Sequence, residues 1–387
     1  MVKADASEIL RRRAMVVDVE SGTAACALSL TPKRAAQREG PKGVLLLLVA
    51  LWYGSSCVAI STSKLCMEIA RVPFVLCCSQ FASAAAVTRC LLYFADDGKG
   101  DSAKARDRGE DRAVGKVAAS YTLGFALTNV AFSLASAPFV ETVKALEPVS
   151  TAALAIVMLG EVEAAPTYIA LVPIILGVGL ATTTPTGAPV VVGEPRATAA
   201  SVVLACNACF SLRAVFAKAL RRDWPSCDAA RSAVALFHRV SVLGLAPLAA
   251  VATLNDRVAL GAALAPDAPD RLGLLLKLAL NGAAYATYNL SSFLVLNRVS
   301  TTTHGVLNVF RRVAVISVTA AVFRVPLSPT NAGGIALAVA GILAFAASKT
   351  RTADAANANA PSPPWPRAAD SPAAPPDAAP RPPPSTT

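Results

Sequence analysis

The 387-residue sequence predicts an all-α membrane protein with about ten transmembrane helices, arranged as two five-helix repeats around a central cavity. Three observations carry this reading. Hydrophobic residues make up 54% and charged residues 16%, against about 25% charged in ordinary globular proteins. The mean hydropathy of +0.52 is too apolar for a soluble surface. Apolar segments also recur at close to the ~20 residues that cross a bilayer. A soluble enzyme, a nucleic-acid-binding protein and a disordered chain are excluded by the same arithmetic.

The first 42 residues form a polar tail with basic runs at Arg11 to Arg13 and Lys33–Arg34. They hold no apolar core of the kind a secretory signal needs, and Asp5, Glu8, Asp18, Glu20 and Glu39 fit poorly with an acid-poor transit peptide. The membrane domain follows at 43–349. Its spans fall near 43–63, 73–94, 114–134, 138–159, 166–184, 197–220, 229–253, 271–297, 303–323 and 327–348. A charged loop at 95–113 and a mixed loop at 254–270 separate some of them. Residues 350–387 are rich in proline and alanine and read as a disordered tail.

The halves repeat weakly. Pro166–Thr167 opens one segment after Gly160-Glu161, and Pro329–Thr330 opens another after Phe323-Arg324. Continued without gaps, this register pairs Leu180 with Leu343 and Ala181 with Ala344. Such repeats are common in secondary transporters, which place substrate where the halves meet, so a central substrate cavity is expected.

The net charge of +11 has a membrane reading, since lysine and arginine gather in loops kept on the cytosolic side. The N-terminal tail, the 95–113 loop, the 221–231 turn, Lys349 and Arg351 fall on one side of ten spans. Arg71, Arg196, Arg257 and Arg324 fall on the other, so both termini should be cytosolic. No nucleic-acid partner is implied. The partners are the lipid bilayer and a small anion, and nothing in the sequence fixes an oligomeric state.

Ionisable groups at membrane depth cost roughly 2.5–3.5 kcal/mol each on insertion scales, so each is a functional candidate. Lys144 and Glu147 lie in the fourth segment, Arg213 and Lys218 in the sixth, His238 and Arg239 in the seventh, and Arg311–Arg312 in the ninth. Lys144 has Glu141 and Glu147 one turn away as structural partners. Lys218 and Arg239 sit near segment ends, where long side chains snorkel. The Arg311–Arg312 pair lies roughly 12 Å into its segment, with no acid within a helical turn. Adjacent side chains point about 100° apart on a helix, so the two forks flank a guest, and guanidinium matches phosphate oxygens bidentately. Pro148 frees the carbonyl of Lys144, and a kink there is tolerated beside protein or a wet cavity. Few acids offset these cations, which predicts that an empty site resists closure.

The nine cysteines fall mostly in apolar stretches, and the Cys206–Cys209 pair reads as small residues on a helix face. With histidines only at 238 and 304, and no HExxH, nucleophile elbow or P-loop, neither an enzyme nor a metal or cofactor site is expected.

Three motifs resemble the plastid phosphate translocator and nucleotide-sugar transporter family of the drug/metabolite transporter superfamily, over about residues 43–349. A pattern like FTHxIKxxEP appears as FVETVKALEP from Phe139 to Pro148, followed by Leu159-Gly160-Glu161. A pattern like SNxxFxxRNxFSKK appears as CNACFSLRAVFAKAL, keeping Asn207, Phe210, Arg213, Phe216 and Lys218. The stretch YNLSSFLVLNRVSTTTHGVLNVFRRVAVI from Tyr288 resembles a third, keeping Arg298, Val299, Ser300, Thr303, His304, Asn308 and Arg312.

The resemblance implies a ten-helix carrier exchanging inorganic phosphate for a phosphorylated metabolite across an organelle membrane. It implies that phosphate is held by Lys144, Arg311 and Arg312, with Thr128, Tyr288 and Arg213 also at the site. Departures fall on the rest of the substrate: Phe125 stands where triose-phosphate carriers have histidine, and Glu141 replaces the histidine of FTH. Arg311 replaces a lysine and keeps its charge. Ala214 and Ala219 replace asparagine and lysine. A sugar phosphate or related C3 to C6 organic phosphate is the leading substrate class. A nucleotide-sugar antiporter of the Golgi or endoplasmic reticulum is the alternative, and the organelle stays open between these and the plastid envelope.

Overall fold

The computed structural model describes residues 42–95, 108–160, 162–183, 196–224, 227, 232–296, 298–299 and 301–358. The polar tail before Lys42, most of the 95–113 loop and the 221–231 turn, Glu161 and the tail beyond Ala358 lie outside them. Among the described residues the chain is helical, with no strand. The elements are α1 (Lys42–Ile69), α2 (Pro73–Ala95), α3 (Arg108–Leu134), α4 (Ala137–Val143), a 3₁₀ turn (Lys144–Leu146) and α5 (Glu147–Leu159). After them come α6 (Ala165–Ile169), α7 (Leu171–Thr183), α8 (Arg196–Asp223), α9 (Ala233–Asn255) and α10 (Arg257–Ala263). The last are α11 (Arg271–Leu296), α12 (Thr301–Val322) and α13 (Pro329–Ala358).

Helix is the conformation apolar segments must take in lipid, because it satisfies every backbone group internally. Prolines mark the starts of α2, α4, α5, α6 and α13, where a missing N–H is harmless. Gly160 ends α5 at a φ of 65°, and its N–H reaches back to the carbonyls of Ala155 and Ile156. Alanines carry α13 on to Ala358, past the expected end of the membrane domain at 349 and into the segment read as a disordered tail. The loop expected at 254–270 contains one further short helix, α10.

Among the described residues seven helices are long and apolar enough to cross a membrane: α1, α2, α3, α6 running into α7, α8, α9 and α13. The other three span-length elements are α4–α5, α11 and α12, and they carry Lys144, Tyr288 and Arg311–Arg312. They fall short for a physical reason. The first is broken by the 3₁₀ turn, α11 carries Asn281, Tyr285, Tyr288 and Asn289, and α12 carries His304, Asn308 and both arginines. Large apolar side chains such as Leu47, Phe94, Val157, Leu254 and Leu276 are exposed around the bundle, which makes sense only against lipid.

The closest packed helix pairs are α1 with α11, α3 with α8, α7 with α13 and α2 with α9. At the α7–α13 crossing a Cβ on Gly177 would strike the Gly334 carbonyl at 2.6 Å and the Ala338 backbone. Glycine at both positions lets the two backbones touch, as small residues do in membrane interfaces.

Among the described residues, two large apolar clusters and a small one around Leu171 and Ile174 occupy the bundle. The first large cluster is aromatic and includes Phe81, Tyr121, Phe125, Phe210, Phe237 and Tyr285; the second includes Leu76, Phe132, Val140, Val143 and Leu274. Along α3, Phe125 belongs to the first and Phe132 to the second, about two helical turns apart. The polar Thr128 and Asn129 lie between them, and there the cavity opens.

A cationic cavity as the candidate functional site

All six residues singled out from the sequence line one cavity. Thr128 comes from α3, Lys144 from the 3₁₀ turn, Arg213 from α8, Tyr288 from α11, and Arg311 and Arg312 from α12. The cavity measures about 80 Å³. One water needs roughly 10–15 Å³, so a small hydrated anion is the scale of guest it suits.

Lys144 is placed by the break that Pro148 imposes. Its carbonyl, unreachable for an N–H four residues on, instead accepts from the N–H of Glu147 three residues on, which makes the 3₁₀ turn. Asn207 of α8 pins the kink by donating to the Val143 carbonyl at 3.1 Å. The Lys144 ammonium sits 5.4 Å from the centre of the Phe210 ring and 3.7 Å from Glu141 Oε1. Arg213 lies over Tyr121 and Phe210, and among the described residues its buried Nε has no hydrogen-bond partner.

The two arginines of α12 diverge. Arg311 donates from Nε to Asn308 Oδ1 at 2.9 Å, with its guanidinium 6.0 Å from the centre of Trp52 on α1. Trp52 in turn stacks on His304 at 4.8 Å, and His304 Nε2 lies 3.1 Å from the Ser292 hydroxyl. Arg312 turns the other way and donates to Glu147 Oε2 at 2.8 Å. A second carboxylate, Glu141, stands 3.8 Å from Arg312.

The arginine pair acquires its acid from outside its own helix. No acid lies within a turn on α12, but Glu147 arrives from a helix 165 residues away. Four cations (Lys144, Arg213, Arg311 and Arg312) and two carboxylates line the cavity, a formal excess of two positive charges. Both carboxylates are nearly inaccessible, at 2% exposure.

One wall is polar and was not legible from the sequence. Asn129 donates to Gln80 Oε1 at 3.0 Å, and Gln80 donates to Asn281 Oδ1 at 2.9 Å. Asn281 closes the network on Ser63 at 2.9 Å, tying α1, α2, α3 and α11 together. The only sequence signal was their polarity at membrane depth. Another part of the lining is aromatic: Phe125 meets Phe210 edge-on at 5.1 Å and Tyr285 at 5.0 Å. Thr128 bonds the Gly124 carbonyl at 2.8 Å and Cys206 Sγ at 3.0 Å, so Cys206 packs against the site.

The remaining membrane-depth charges lie apart from the cavity. Arg239 pairs with Glu110 at 2.8 Å and Asp111 at 2.5 Å, joining α9 to the start of α3. His238 lies 3.1 Å from the Thr88 hydroxyl. Lys218 is half-buried on α8 and does not line the cavity. Lys64, which the sequence reading passed over, is buried and donates to the Phe132 carbonyl at 3.0 Å.

The Triose-phosphate Transporter family model matches residues 43–346. The chain belongs to this family. It is a family of transporters rather than enzymes, and the match covers every element that builds the cavity.

Three plant relatives illustrate the similarity. Phosphoenolpyruvate/phosphate translocator 1, chloroplastic, of Oryza sativa subsp. japonica is 31% identical over 233 residues, 58% of this chain and 53% of that one. Phosphoenolpyruvate/phosphate translocator 2, chloroplastic, of Arabidopsis thaliana is 30% identical over 60% of this chain and 59% of its own. The triose phosphate/phosphate translocator, non-green plastid, chloroplastic, of Brassica oleracea var. botrytis is 26% identical over 77% and 71%. The match thus spans a little over half the length of the first two relatives. A solved crystal structure covering 80% of this chain has a TM-score of 0.46 at 18% identity, too distant to bear on function.

Proposed function

We propose that the protein is a secondary antiporter that exchanges inorganic phosphate for a phosphorylated metabolite by alternating access. The observation that carries this is the convergence of Lys144, Arg213, Arg311 and Arg312 on one small cavity with an excess of two positive charges. A phosphate group carries about −1.5 to −2 at pH 7, so it neutralises that excess. The bidentate geometry of guanidinium suits its oxygens, and the Nε of Arg213 is a buried donor still to be met.

The reading of ten traverses in two repeats of five draws support from the packing. Count α4–α5 and α6–α7 as one traverse each, leave out the short α10, and move every traverse five places along. The first-with-eighth pair, α1–α11, then becomes the third-with-sixth pair, α3–α8, and both pack closely. The pairs α2–α9 and α7–α13 map onto themselves. Substrate at the junction of inverted repeats is the arrangement expected of a rocking carrier.

The occluded step sets the coupling. The sequence predicts that few acids offset the cations, and two carboxylates offset two of four. Burying the remaining charge is still unfavourable by several kcal/mol per ion, so closure over a bound phosphate is easier than closure over an empty cavity. The relatives bear the words chloroplastic and plastid, which supports a plastid envelope for this protein. The nucleotide-sugar alternative gains nothing from those relatives or from a cavity of about 80 Å³.

The test is a counter-exchange panel. The full chain is reconstituted in liposomes loaded with inorganic phosphate and offered labelled C3, C5 and C6 phosphates and nucleotide sugars. Uptake of phosphate and of at least one sugar or C3 phosphate is expected. Uptake of nucleotide sugars alone would overturn the proposal.

A further inference from the structure

The inference rests on the phosphate reading above and concerns the second carboxylate of the cavity, Glu141. Glu147 is engaged by Arg312 at 2.8 Å. Glu141 is not engaged in the same way. It forms two longer ion pairs, with Lys144 at 3.7 Å and Arg312 at 3.8 Å, and among the described residues its Oε1, like that of Glu147, has no hydrogen-bond partner. At 2% exposure it is also beyond the reach of bulk water. Its charge therefore enters the balance of the cavity through two ion pairs, both with cations that a bound phosphate also draws on.

We infer that Glu141 sets the charge class of the substrate, admitting phosphate esters whose phosphate is their only anionic group and disfavouring those that also carry a carboxylate. The charge count leads there. Four cations less two carboxylates leave an excess of two, which one phosphate group uses up. A carboxylate on the same molecule finds no positive charge left. In a cavity of about 80 Å³ it also cannot retreat far from Glu141. Like charges within about 10 Å at an effective dielectric near 20 cost roughly a factor of ten or more in affinity. The inference runs against the first names among the relatives, because phosphoenolpyruvate carries both groups.

Glycerol 3-phosphate and 3-phosphoglycerate make a matched pair of probes. They share the three-carbon frame and the phosphate and differ by a hydroxymethyl against a carboxylate. Each is titrated as a competitor of labelled phosphate uptake into phosphate-loaded liposomes carrying the full chain. In the unaltered protein glycerol 3-phosphate should compete about tenfold better or more. In Glu141→Gln the ratio should shrink by about tenfold, chiefly because 3-phosphoglycerate binds better. Equal competition in the unaltered protein, or stronger competition by 3-phosphoglycerate, overturns the inference. So does an unchanged ratio in Glu141→Gln. If Glu141→Gln does not assemble, Glu141→His removes the same negative charge and carries the ratio test. Failure of the phosphate reading looks different: the unaltered protein then shows no phosphate uptake for either compound to inhibit, and the inference falls with it.

Discussion

Replacing Arg312 by alanine does two separable things, and the structure gives a magnitude for each. Arg312 and Glu147 are paired at 2.8 Å with side-chain exposures of 8% and 3%. Removing one member of such a buried pair strands the other, at a cost of about 3–5 kcal/mol of stability. A bound phosphate also loses a hydrogen bond to a charged donor, worth about 1.5–3 kcal/mol. That corresponds to a factor of roughly 10 to 150 in phosphate affinity. Arg312→Ala should therefore melt earlier in detergent and lose phosphate exchange. Adding Glu147→Gln removes the stranded carboxylate. The double variant should regain most of the melting temperature while its exchange stays at least about tenfold down. Thermal unfolding and phosphate uptake are measured on the same preparations. A double variant that recovers exchange along with stability would show that Arg312 only neutralises Glu147 and does not hold the anion.

Two further outcomes follow from the geometry and a third from the distribution of lysine and arginine along the sequence. Phe125 fills the aromatic wall beside Thr128 and offers no donor, so triose phosphates should be weak substrates; Phe125→His should raise their exchange severalfold relative to phosphate, and no change would remove Phe125 from the selectivity account. Gly334→Leu puts a side chain where α13 touches the α7 backbone at Gly177 and Ala181, and should cost about 1–3 kcal/mol or more, read as earlier melting and lower yield. Cysteines introduced at positions 30 and 360 should both label from the side that corresponds to the cytosol; opposite sides would mean an odd number of traverses.

Much of the fold was legible because hydropathy and proline placement act locally. The start of α2 at Pro73, the break at Lys144 and the start of α13 at Pro329 are each written in a few adjacent residues. The six site residues were found partly as charges at a forbidden depth and partly by resemblance, and the bundle brings all six to one cavity. Their charge balance was not legible. A helical turn shows only neighbours three or four residues away, whereas Arg312 meets Glu147 across 165 residues. Glu141 could be read as a partner of Lys144 on the same helix, but its approach to Arg312 depends on how α12 packs on α4. The Gln80–Asn129–Asn281 network was hidden for the same reason, since the three amides come from three different apolar segments.

The central claim is that the cationic cavity opens and closes around phosphate, and unloaded vesicles test it most directly. Labelled phosphate uptake is measured into liposomes carrying the full chain, with internal phosphate in one set and none in the other. The account predicts rapid uptake into the loaded set and little into the empty one, because the empty cavity leaves an excess of two buried positive charges uncompensated during closure. Equal uptake into both sets would contradict it.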